Sequence, residues 1–122
     1  MRETIRDKNR LEHILEAIDN VFEFTEGMTF DDYVADKKGK FAVAKNLEII
    51  GEASYKLTQD FKNKYAETDW QTIIGLRHVL VHGYYQIEDF ITWGVIQKDL
   101  QPLKEQIQAL YDMLSGQESF NE

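Results

Sequence analysis

Four residues in one short run carry chemistry: Arg77, His78, His82 and Tyr84, within Gly75-Leu76-Arg77-His78-Val79-Leu80-Val81-His82-Gly83-Tyr84. Arg77 falls on the apolar stripe expected of its helix, where an unpaired guanidinium costs roughly several kcal/mol. Two readings stay open for it. One is an internal ion pair with a carboxylate such as Glu48 or Glu52; the other is a cation kept for an anionic ligand. His82 is of a type that can donate or accept a proton, and at a helix C-terminus the macrodipole favours its protonated form. An Arg that holds phosphate oxygens and a His that moves a proton are what phosphodiester cleavage requires. Arg-x4-His by itself is a short pattern that recurs by chance.

On a continuous α-helix Arg77 and His82 stand about 140° apart and share no face. Gly83 eases this if it is the left-handed residue that ends the helix, because His82 then sits where the chain turns. His78 and His82 are also spaced four apart, as in a helical metal pair. No Glu follows His78 and no third ligand stands at a fixed spacing, so no metal site and no cofactor is assigned. His13 reads as an ordinary surface or boundary residue. Gly51-Glu52-Ala53 inside a helix suggests a close helix crossing at the glycine, with Glu52 left open as a partner for Arg77.

The elements that must position these residues are helical. Leu11, Ile14, Leu15, Ile18, Val21 and Phe22 draw one face of a first helix that stops near Glu26-Gly27. Thr29-Phe30-Asp31-Asp32 has the form of a capping box and opens a short helix through Tyr33. Lys37-Lys38-Gly39-Lys40 reads as a loop, and Val43, Leu47, Ile50, Ser54 and Leu57 mark a second long helix. A capping box at Thr68-Asp69-Trp70-Gln71 starts a third, with Trp70, Ile73, Ile74, Arg77 and Val81 on its buried stripe and Gly83 at its end. Trp93, Ile96, Leu100, Leu103, Ile107, Leu110 and Leu114 form a heptad seam, interrupted by Pro102, which should kink or split the helix. The expectation is an all-α bundle of four to five helices with antiparallel neighbours. It forms one domain over 1–116, followed by a frayed polar tail over 117–122.

Composition narrows the functional classes. The 122 residues, 43% hydrophobic, suit one domain with a real core. Absence of Cys excludes disulfides, thiolate metal sites and a Cys nucleophile. No apolar run approaches the roughly 18 residues of a membrane span, and the charged N-terminus is unlike a secretory signal. A cytoplasmic protein without membrane contact is expected. The net charge of −8 argues against a nucleic-acid partner, since such binders usually carry a basic surplus. The charge is uneven, however. Residues 1–64 hold 11 basic and 13 acidic side chains, and residues 65–122 hold 3 and 9.

The residues taken together resemble a known family. Leu47-Glu48-Ile49-Ile50-Gly51-Glu52-Ala53, Trp70 with Ile73 or Ile74, Gly75-Leu76-Arg77, His82-Gly83-Tyr84 and Trp93 are similar in order and spacing to the HepT-like toxins of the HEPN superfamily. The resemblance extends from about Leu11 to Leu114. It implies an all-α HEPN bundle that works as a homodimer, and a metal-independent endoribonuclease, with tRNA a plausible target. It also implies a nucleotidyltransferase antitoxin of the minimal (MNT) type as partner, in assemblies that extend beyond the dimer in some cases. By this resemblance His82 acts in proton transfer as the RNA 2′-hydroxyl attacks phosphorus, and Arg77 stabilises charge on the phosphate oxygens. His78 occupies a supporting polar position where Asn is more familiar. Tyr84 is the implied acceptor of adenylyl groups, with Tyr85 its neighbouring alternative.

A two-fold axis would gather both copies of Arg77 and His82 around one cleft, which removes the single-helix geometry problem. Lys37–Lys45 and the basic N-terminus are expected to rim that cleft, giving weak, salt-sensitive RNA affinity on an acidic background. Two rival readings are a catalytically silent HEPN dimer that binds a nucleotidyltransferase or nucleotides, and a purely structural dimer built on the Trp93–Leu114 seam.

Overall fold

The structure is a computed structural model and describes residues 2–78 and 86–121, with side chains described for these except 86–88 and 117–121. Every regular element among the described residues is helical, as the all-α reading expects. Helix α1 (Arg2–Thr25) buries Leu11, Ile14, Ile18 and Val21, and Gly27 follows it at φ +75°, the left-handed conformation that ends helices at low cost for glycine. Helix α2 (Phe30–Ala35) starts with the expected box: Thr29 Oγ1 accepts from the Asp32 N–H, and the Asp32 carboxylate accepts from the Thr29 N–H.

Helix α3 (Lys37–Lys56) begins where a loop was expected. The Asp36 carboxylate accepts from the Gly39 N–H at 2.9 Å, so a cap converts the Lys-Lys-Gly-Lys run into a first helical turn. Helix α4 (Gln59–Lys64) is an addition to the sequence reading. Thr58 caps it by accepting from the Phe61 N–H, and the buried Asp7 carboxylate takes the Thr58 N–H at 2.8 Å and its hydroxyl at 2.7 Å. Helix α5 (Trp70–Ile74) is capped by Asp69, one residue later than expected. Asp69 accepts from both the hydroxyl and the N–H of Thr72, and these bonds hold its carboxyl below the usual range.

At Gly75 the α-helix gives way to a 3₁₀ turn, Gly75–His78, where a continuous α-helix was expected, and the expected end at Gly83 lies outside the described residues. Glycine at the joint weakens α-helical continuation. Helix α6 (Gln86–Gly94), a π-helical turn (Val95–Asp99) and helix α7 (Leu100–Asn121) follow. Pro102 has no N–H for the carbonyl of Lys98, and the π-helical turn that contains Lys98 absorbs the mismatch without a break. Ile96, Leu100, Leu103, Ile107, Leu110 and Leu114 are all buried, as the heptad seam predicts. The helical backbone continues through Asn121.

Helices α1, α3 and α7 carry the core. Asp7 meets Thr58 and Asn20 meets Asn46 (3.1 Å), so α3 runs antiparallel to α1. Asp19 pairs with Lys104 at 2.7 Å and Lys8 lies over the Tyr111 ring, so α7 also opposes α1. Two aromatic groups brace the short helices. Phe61 packs on Tyr65 and Trp70, whose indole N–H donates to the Tyr65 carbonyl at 3.1 Å. Trp93 packs on Phe30 and Tyr33, joining α6 to α2. No helix among the described residues is long and apolar enough to cross a membrane.

Candidate active site

The site is assembled from two contacts between α3 and the 3₁₀ turn. A Cβ on Gly51 would lie 2.9 Å from both the Arg77 Cα and the Ile74 carbonyl oxygen, and closer still to the Arg77 nitrogen. Only a residue without a side chain lets the turn sit this close to α3, so the expected close crossing at Gly51 is present. Four residues on, and therefore on the same helix face, stands Tyr55. The Arg77 guanidinium carbon lies 4.1 Å from the centroid of the Tyr55 ring, a cation–π contact. The Lys62 ammonium lies 5.8 Å from the same centroid and donates to the Tyr55 carbonyl at 3.1 Å.

This geometry corrects the reading of Arg77 as an internal ion pair. Glu48 pairs with Lys45 at 3.4 Å and Glu52 with Lys56 at 3.9 Å, and no carboxylate pairs with Arg77 among the described residues. The side chain is half-buried, and its Nε is shut from solvent without a hydrogen-bond partner among the described residues. The 3₁₀ turn advances about 120° per residue, which moves Arg77 off the α-helical stripe formed by Trp70 and Ile73. An aromatic face constrains a guanidinium but does not neutralise it. Among the described residues no carboxylate offsets the Arg77 charge.

His78 is exposed in the same turn. His82, Tyr84 and the rival Tyr85 lie outside the described residues. Among the described residues no three His, Asp or Glu side chains gather as a metal site. His13 is exposed, as expected. The rim of lysines was expected around a dimer cleft; within one chain the lysine run and Tyr55 lie at opposite ends of α3. Lys40 and Tyr55 are 15 residues apart on α3, about 22 Å along its axis. Lys40 is also bound to the buried Asp89 carboxylate at 3.0 Å, and Lys45 to Glu48. The cationic companion of Arg77 is Lys62, with the N-terminal end of α1 anchored nearby through the Asp7–Thr58 bonds. A cavity of about 320 Å³ next to α5 is lined by Ile73, Leu76, Val95, Leu100 and Leu103 among others, and includes neither Arg77 nor His78.

The family model described as "Ribonuclease HepT-like" matches residues 14–110, which span every element from α1 into α7. The chain belongs to the HepT-like ribonuclease family. It is 39% identical over 103 residues to a "Probable ribonuclease HepT" of Thermococcus cleftensis, covering 84% of this chain and 94% of that protein. It is 34% identical over 97 residues to a Methanocaldococcus jannaschii protein bearing an RNase name, covering 80% and 89%. A protein of Caldanaerobacter subterraneus subsp. tengcongensis, also bearing an RNase name, is 35% identical over 100 residues, covering 82% and 89%. No solved structure matches the chain. Within this HepT-like chain, Tyr55 is the contact of Arg77 that motif reading missed. Its spacing of four from Gly51 was the available signal, since the two share one face of α3.

Proposed function

We propose that this HepT-like chain is a metal-independent endoribonuclease acting on cellular RNA, tRNA included, and the toxin of a HEPN/MNT toxin–antitoxin pair. The observation that carries the reading is Arg77: a guanidinium held over Tyr55, paired with no described carboxylate, in a chain of a ribonuclease family. In a homodimer two copies of Arg77 and His82 face one cleft. The RNA 2′-oxygen bonds to the adjacent phosphorus as the bond to the 5′-oxygen breaks. One proton leaves the 2′-hydroxyl and one reaches the departing 5′-oxygen, the transfers His82 serves, while Arg77 stabilises the phosphate oxygens. His78 supports as a polar neighbour. The partner nucleotidyltransferase silences the enzyme by joining the Tyr84 oxygen to the α-phosphorus of ATP with release of pyrophosphate. The added negative charge beside Arg77 then opposes RNA.

Expression without the partner, scored for growth arrest and RNA breakdown, tests this. Wild type should cut RNA with chelator present, and His82→Ala and Arg77→Ala should each lose at least about a hundredfold. A wild-type chain that cuts nothing, or a His82→Ala chain that remains fully toxic, refutes the nuclease and favours a binding role. Co-expression with the nucleotidyltransferase should add AMP-sized mass to the peptide carrying Tyr84; additions confined to Tyr85 reassign the acceptor.

A further inference from the structure

We propose that Tyr55 is the positioning residue of this site: its ring fixes the Arg77 guanidinium toward the scissile phosphate and carries Lys62 as a second cation for the RNA backbone. The inference rests on the reading of Arg77 as the phosphate-facing cation. An unconstrained Arg side chain has many rotamers, and a carboxylate that restrained it would also occupy its donor fork and cancel its charge. The Tyr55 face restrains the plane of the guanidinium and leaves fork donors free for phosphate oxygens. Gly51, one helical turn away, fixes the backbone of the same residue. Backbone and side chain of Arg77 are thus both set by one face of α3.

Tyr55 is 48% exposed, so its ring is open to solvent beside the two cations. Two cations lie against its ring, and Lys62 is additionally tied to its carbonyl. A single-stranded RNA meets such a surface through its phosphates, with the catalytic cation nearest the 3₁₀ turn and Lys62 beside it. The contact that matters is the ring, so the hydroxyl is dispensable.

The test uses the full chain on a short end-labelled single-stranded RNA of mixed sequence, under single turnover, with melting temperatures recorded. Tyr55→Phe should stay within about twofold of wild type, and Tyr55→Leu should lose roughly threefold to thirtyfold in maximal rate. Half-saturation, melting temperature and the pH profile should move little in Tyr55→Leu, because position of the cation is lost and not its charge. A Tyr55→Leu rate equal to wild type, with Arg77→Ala inactive, overturns the role of Tyr55 and leaves the nuclease reading standing. Equal losses in the Phe and Leu variants overturn it too, by implicating the hydroxyl. Wild type that leaves the RNA intact overturns the site reading and this inference together. Should Tyr55→Leu misfold, the Arg77 Nε–H proton of wild type decides: a ring-current upfield shift is expected, and an unshifted resonance refutes the contact.

Discussion

Two glycines of similar helical setting have opposite meanings. At Gly51 any Cβ collides with the backbone of Arg77, whereas a Cβ on Gly94 meets nothing within 4 Å. Gly51→Ala should therefore cost about 1–3 kcal/mol by overpacking, and also reduce RNA cleavage by pushing the 3₁₀ turn off α3. Gly94→Ala should be neutral or stabilise by up to about 1 kcal/mol, because alanine restricts the unfolded chain in a helix that has room for it. Denaturant melts of the two variants check this, and equal stabilities would refute the close-crossing account. Arg77 likewise gains its meaning from a neighbour, since the same guanidinium over a carboxylate would be a structural ion pair.

Among the elements, short polar side chains set the boundaries. Asp36, Thr58 and Asp69 each start a helix by accepting a backbone N–H three residues on, and each lies where hydrophobic periodicity says least. Helices α2 and α6 meet through Tyr33, Phe30 and Trp93, and burial, with Asp89 adding repulsion, pushes the Tyr33 hydroxyl from 10.0 up to about 12. In the unfolded chain that hydroxyl ionises first as pH rises. The stability Tyr33 contributes is therefore complete below pH 10.0 and is lost as pH climbs through about 12. The melting temperature of wild type should fall more steeply over that window than that of Tyr33→Phe. Parallel curves would show that Tyr33 does not couple α2 to α6 in this way.

Over the whole molecule, the net charge of −8 coexists with separated cations. Lys37 and Lys38 begin α3, while Tyr55 and Lys62 mark its other end, more than two Debye lengths away at physiological salt. RNA binding should accordingly be weak and salt-sensitive. Lys62→Gln should lower the slope of log affinity against log salt by roughly 0.7 per site, and Lys38→Gln should leave it unchanged. Equal effects from the two lysines, measured by fluorescence anisotropy with a labelled single strand, would place RNA elsewhere.

The sequence by itself determined the helical class, the buried faces of α1, α3 and α7 and the residues of the motif, because apolar spacing follows the helix period and chemistry follows residue type. Matching residues across most of the chain also marked the HepT-like family. Tertiary structure alone decided what Arg77 faces. The choice between Glu48, Glu52 and Tyr55 depends on how a 3₁₀ turn seats on Gly51, and periodicity contains no term for contacts between residues 51 or 55 and 77. Within one chain it also set the lysine run at the start of α3 apart from Tyr55 at its end, since position along a helix axis becomes distance only once the helix is formed. Local pattern fixes which face is buried, and packing between elements fixes what that face meets.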